Sequence, residues 1–170
     1  LIVSDRAPHA LDFGGYGWFP IEITEKGIVL HFAEALVACE KVSQLAESLV
    51  EKHSTDPACT IMLGFSQGAS ISVAVALKEP GKFAGVAALS GRCVPEMIPA
   101  NTNEVEGLPI LLTHGEFDQV IPIAQGREGH ELMQQLPVDL TYTEYPMGHE
   151  INQACLEDVR WWLTDCIDRS

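Results

Sequence analysis

Residues Thr60 to Ser70 read TIMLGFSQGAS: an apolar run, a serine with a glycine two positions away on either side, then small residues. The run has the length and composition of a buried strand, and the small residues after it suit a close-packed helix. G-x-S-x-G alone is a weak pattern, but here it falls where strand gives way to helix, the placement that a raised nucleophile requires. So tight a turn forces Ser66 into a strained backbone conformation, and side chains at Gly64 and Gly68 would collide with neighbouring backbone. The Ser66 hydroxyl is then lifted above the sheet edge, at the positive end of the following helix. The backbone N–H of Gln67 points at the same spot, as a donor to an oxyanion.

Strand and helix alternate through the rest of the chain. Upstream, Val29, Phe32, Ala33, Leu36, Val37, Val42, Leu45, Ala46 and Leu49 recur at helical spacing, which predicts a long amphipathic helix from about Gly27 to His53. Downstream, a helix is predicted over Gln67 to Lys78, then buried strands in FAGVAALSG and LPILLTHG. A helix over Pro122 to Gln135, a better alternating strand in VDLTYTEYP and a closing helix over Glu150 to Ile167 complete the pattern. Uninterrupted apolar strands between helices argue for an α/β fold, a mostly parallel sheet with helices on both faces. The 170 residues, 46% hydrophobic, suffice for one domain that buries roughly 70% of its unfolded surface. No repeat or linker divides residues 1–170.

The front of the chain is different. LIVSDRAPHA, Leu1 to Ala10, starts on an apolar run that reads as a strand already under way, and the expectation is that an upstream part is missing. RAPHALDFGGYGWFPIE follows neither period and reads as a long ordered loop. Its Trp18 and Phe19 are either walls of an apolar site or anchors of the loop to the core.

Charge and cysteine usage exclude several classes. A net charge of −14, from 24 acidic residues against 10 Lys and Arg, repels a phosphate backbone, so nucleic acid is not an expected partner. No run approaches the 18 or so apolar residues of a membrane span, and no signal peptide is visible. Cys39, Cys59, Cys93, Cys155 and Cys166 are odd in number and lack CxxC spacing, which argues against a zinc or redox centre. They read as reduced thiols of a cytoplasmic protein.

A serine hydroxyl needs a base to take its proton and a third group to orient that base. His149, in YPMGHEI, follows a predicted strand and precedes the last helix, with Gly148 freeing the loop to present the ring. His114, in LLTHGEFD, is the rival, but it ends a strand ahead of the acid candidates and reads as a packing or supporting residue. His9, His31, His53 and His130 carry no motif. For the acid, HGEFDQVIP supplies Asp118, its turn fixed by Pro122, with Glu116 as the alternative carboxylate. Ser66, Asp118, His149 is the nucleophile, acid, base order of an α/β-hydrolase.

Together the stretches RAPHALDFGGYGWFPIE, LGFSQGAS, VAALSGRCVPE, LPILLTHGEFDQVIP and TYTEYPMGHEI resemble, in order, the phospholipase/carboxylesterase family of α/β-hydrolases, which contains acyl-protein thioesterases and small carboxylesterases. The resemblance implies Ser66, Asp118 and His149 as the triad, Gln67 as one oxyanion donor, and Trp18 with Phe19 at the border of an acyl pocket. Family members begin with a strand ending in a histidine-glycine loop that supplies the other oxyanion donor. The expectation is that this loop and one or two strands are missing, at a cost of about 2.7–4 kcal/mol in the transition state.

The expected reaction is hydrolysis of a carboxylic ester or thioester through an acyl-enzyme, with no metal or organic cofactor. Trp18, Phe19, Phe65 and Met147 suggest an apolar site for a small or lipid-like ester. A non-catalytic binding protein of the same fold would be expected to show a broken triad, and here all three positions are filled. A nucleotide-binding domain would carry G-x-G-x-x-G after its first strand, a spacing GFSQGAS lacks. Trp161 and Trp162 cannot share one helical face, which leaves one indole either solvated or merely packed, the favoured reading, or at a subunit contact in a homodimer.

Overall fold

The structure is a computed structural model; it describes residues 1–11, 14–24, 27–99 and 103–169. Four parallel strands carry the fold: β5 (Ile61–Phe65), β6 (Gly85–Leu89), β7 (Pro109–Gly115) and β8 (Asp139–Tyr145), side by side in that order. Between and after them run α2 (Gln67–Lys78), α3 (Ile123–Met133) and α4 (Gln153–Arg169), and α1 (Phe32–His53) precedes β5. Each predicted element from Thr60 onward is present, with ends moved by a few residues.

Side-chain alternation explains why the strands read as unbroken apolar runs. Val86, Ala88, Ile110 and Leu112 share one buried cluster with Ala38 of α1, Ile71 and Val75 of α2 and Met133 of α3. Their strand neighbours Ala87, Leu89 and Leu111 point the other way, into a second cluster with Cys155 and Val159 of α4. Successive residues of a strand face opposite sides, so a sheet covered on both needs apolar residues at every position.

The front departs from the reading in three places. Gly27–Leu30 is strand β4, paired antiparallel with β3 (Ile21–Thr24), and the long helix starts only at Phe32. The β-branched Ile28 and Val29 favour the strand, and pairing with a partner two residues away outweighs a helical spacing. The expected loop contains a two-residue bridge, β1 (His9–Ala10) against β2 (Tyr16–Gly17), while its Asp12 and Phe13 lie outside the described residues. Leu1–Ser4, read as a strand, has no ladder partner among the described residues, and Leu1 and Ile2 are exposed. The outer edge of β5 is likewise unpaired among the described residues, and Leu63 on it is half-exposed.

Cys39, Cys59, Cys93 and Cys155 are free thiols, and of the five cysteines only Cys59 is exposed. Removal from water pushes the Cys39 thiol up to about 11 and that of Cys93 up to about 12, and it raises Cys155 and Cys166 as well. The thiolate is the reactive form, so at pH 8 these four present almost none of it. A short iodoacetamide pulse at that pH should label Cys59 alone, and peptide mapping that finds an equal label at Cys39 would contradict the packing. Among the described residues, no helix is long and apolar enough to cross a membrane.

Candidate active site

Ser66 is the hinge between β5 and α2, at φ 56° and ψ −118°, in the left-handed half of backbone space. Backbone bonds hold it there: its N–H donates to Leu89 O of β6 at 2.9 Å, and its C=O accepts from Ala69 N–H at 3.1 Å and Ser70 N–H at 3.3 Å. The glycines act unequally. A Cβ at Gly64 would lie 2.2 Å from the backbone carbonyl of Gly68 and 2.5 Å from Ala69 N, so the first turn of α2 rests directly on the end of β5. A Cβ at Gly68 would meet only Trp18 Nε1, at an ordinary 3.6 Å. The expected backbone collision therefore belongs to Gly64, and Gly68 is the surface it would strike.

His149, just beyond β8, brings its ring to the hydroxyl. Its Nε2 lies 3.0 Å from Ser66 Oγ, and its Nδ1 lies 2.7 Å from Asp118 Oδ2. An ionised carboxylate can only accept, so Nδ1 carries the proton and Nε2 is free to accept from Ser66 Oγ–H. Phe65 packs against the imidazole, with ring centroids 4.8 Å apart and the planes tilted by 42°. Asp118 is fully buried at its side chain, and its other oxygen accepts from Val120 N–H at 2.9 Å and Ile121 N–H at 2.8 Å. Glu116 is exposed, and its N–H donates to Tyr145 O, so of the two carboxylates Asp118 is the one at the imidazole.

The apolar candidates divide. Trp18 and Phe65 are half-buried at the site, whereas Phe19 and Met147 are 2% and 3% exposed and face the core. Met147 Sδ accepts from Asn152 N–H at 3.4 Å. Exposed apolar side chains flank Asp118 and His149 in the sequence instead: Phe117 and Val120 on either side of Asp118, and Ile151 two residues after His149. Among the described residues, no group of three or more His, Cys, Asp or Glu side chains is arranged to hold a metal ion.

Gln67 does more than its backbone suggested. Its side-chain Oε1 accepts from Trp18 N–H at 2.6 Å and from Phe19 N–H at 3.4 Å, and its Nε2 donates to Phe19 O at 3.0 Å. One amide thus straps the irregular loop to the start of α2 and satisfies backbone groups that no strand pairs. Gln67→Leu leaves these groups without protein partners and should cost about 1–3 kcal/mol in urea unfolding. Faster proteolysis between Tyr16 and Phe19 should accompany that loss. An unchanged midpoint with unchanged cleavage would show that the strap carries no weight.

A serine raised at a strand-to-helix turn, with side chains from beyond the ends of later parallel strands brought against it, fits the α/β-hydrolases, the class to which the chain belongs. Within that class the chain belongs to the phospholipase/carboxylesterase family, a family of ester hydrolases whose model matches residues 3–167. Acyl-protein thioesterase 1 of Debaryomyces hansenii is 29% identical over 164 residues, which cover 92% of this chain and 71% of that protein. A probable inactive carboxylesterase of Oryza sativa is 27% identical over 124 residues, covering 68% of this chain and 49% of its own length. The chain therefore spans only about half the length of some curated relatives it matches. The crystal structure of Arabidopsis thaliana SOBER1 superposes with a TM-score of 0.78 at 22% identity, over 96% of this chain and 81% of that one, a likeness of fold.

Proposed function

We propose that the protein is a serine hydrolase that cleaves carboxylic esters or thioesters. Ser66 attacks the carbonyl while His149 Nε2 takes its proton, Asp118 holds the imidazole, and the Gln67 N–H donates to the developing oxyanion. His149 then returns the proton to the leaving oxygen or sulfur, and water, deprotonated by the same nitrogen, releases the acid from the acyl-enzyme. The observation that carries the reading is the unbroken line from Ser66 Oγ through the His149 ring to Asp118 Oδ2, at 3.0 and 2.7 Å. In the first turn of α2 the Ala69 and Ser70 amides donate to Ser66 O, and the Gln67 and Gly68 amides, which have no helical carbonyl behind them, are the ones this reading offers to an anion.

The substrate in this reading is a small or lipid-like ester whose apolar part lies against Trp18, Phe65 and the exposed Phe117 and Ile151. The thioesterase named among the relatives extends the proposal to acyl thioesters. Free thiols at Cys39, Cys59, Cys93 and Cys155 suit a reducing compartment, and the reading assigns the enzyme to the cytoplasm. The test is exposure to a fluorophosphonate followed by peptide mapping. One adduct on Ser66, blocked by prior acylation with a nitrophenyl ester, is expected. An adduct on another residue, or none, would defeat the assignment, and no adduct would favour the non-catalytic alternative that the inactive relative illustrates.

A further inference from the structure

We infer that His114 is a positioning residue for this site: its imidazole N–H pins the loop that presents Asp118, and through that carboxylate it sets the orientation of His149. The inference rests on the triad reading above. His114 is 1% exposed, at the carboxyl end of β7. Its Nε2 lies 2.8 Å from Ile121 O. A carbonyl only accepts, so Nε2 carries the proton and donates.

Ile121 works in both directions. Its C=O takes the His114 proton, and its N–H donates to Asp118 Oδ1 at 2.8 Å. Asp118 N–H in turn donates to Gly115 O at 3.3 Å, which returns the chain of bonds to the strand that bears His114. The acid loop is thereby closed into a ring with the imidazole as one side. The same Nε2 is 3.6 Å from Asp118 Oδ2, the oxygen that receives His149 Nδ1–H. That is too long for a hydrogen bond, but it keeps the donor nitrogen close to the carboxylate.

Helix α3 holds the ring in place. A Cβ at Gly126 would lie 2.6 Å from His114 Cγ and Nδ1, so only a glycine lets the helix lean on the imidazole this closely. Burying an imidazole costs free energy that an aliphatic residue would not. Among the described residues, Ile121 is its one hydrogen-bond partner, so the compensation comes entirely from the acid loop. A displacement of about 1 Å in a catalytic group costs on the order of 100-fold in rate, which is the scale on which the pin acts.

The experiment compares wild type, His114→Leu and His114→Gln, with thermal midpoints, kcat and KM on a short nitrophenyl ester, and the rate of fluorophosphonate labelling. His114→Leu should lose about 100-fold in kcat and in labelling rate with KM little changed. His114→Gln, which keeps an N–H at the same reach, should recover most of both. Lowered midpoints with unchanged kcat per folded molecule in both variants would mean packing alone and overturn the inference. Should His114→Leu fail to fold, the imidazole 15N spectrum of the wild type decides: protonation at Nε2 is expected, and protonation at Nδ1 alone overturns it. Wild-type labelling separates the two failures. An unlabelled wild-type Ser66 sinks the triad reading, and equal labelling of wild type and His114→Leu sinks only the role of His114.

Discussion

Ser66→Ala should cut kcat about a million-fold while leaving the fold and ester binding intact. The change removes one oxygen, and in the proposed mechanism that oxygen is the atom that forms the acyl bond. Alanine at φ 56° is no more strained than serine there, so stability should hardly move. Because the proposed mechanism joins Ser66, His149 and Asp118 in one line of proton transfer, their losses should not add. His149→Ala alone should cost about as much as Ser66→Ala, and the double variant should be no slower than either. Asp118→Asn should fall less, by about ten-thousand-fold, because an amide at the position of Oδ2 can direct an N–H at His149 Nδ1 and favour the wrong tautomer. Rates that multiplied across the three would describe independent contributions and break the mechanism. Undiminished turnover by Ser66→Ala would place the nucleophile elsewhere.

The chain shows unevenly how much such a site declares itself in sequence. Strands β5 to β7 were readable as apolar runs, the pattern of a doubly covered sheet, and β8 by its alternation, with helices α2 to α4 between and after them. The start of α1 was not, since Ile28 and Val29 fit a helical stripe as well as a hairpin, and the choice is made by pairing with Ile21–Thr24. Ser66, Asp118 and His149 could be picked from local motifs and chain order. Their convergence across 31 and 83 residues could not.

The supporting bonds left no trace at all. The Gln67 strap and the His114 pin both end on backbone groups of loops, Phe19 O and Ile121 O, and a carbonyl has no letter in the sequence. Phe19 and Met147 show the opposite failure. Their apolar character was legible, but it fits a core and a substrate wall equally, and burial among α1, α2 and the sheet for one and against α4 for the other decides between them.

Gly64→Ala should lower stability by at least about 3 kcal/mol, whereas Gly68→Ala should be neutral or stabilising by up to about 1 kcal/mol. At Gly64 the new methyl meets backbone on every near contact: Gly68 C and O at 2.2 Å and Ala69 N at 2.5 Å. None of these can rotate away as a side chain would. Relief requires lifting the first turn of α2 off the end of β5, yet α2 is buried from Ile71 through Leu77 and cannot tilt without opening the main core. At Gly68 the methyl meets one indole nitrogen at 3.6 Å and replaces a flexible residue within a helix. For a chain of this length the two variants should differ in thermal midpoint by about 6–12 °C. The lift also moves Ser66 relative to His149, so whatever Gly64→Ala protein remains folded should label slowly with fluorophosphonate, while Gly68→Ala labels at close to the wild-type rate. Equal midpoints and equal labelling would mean that α2 does not rest on β5 at this point, and the elbow would then need another cause for its bend.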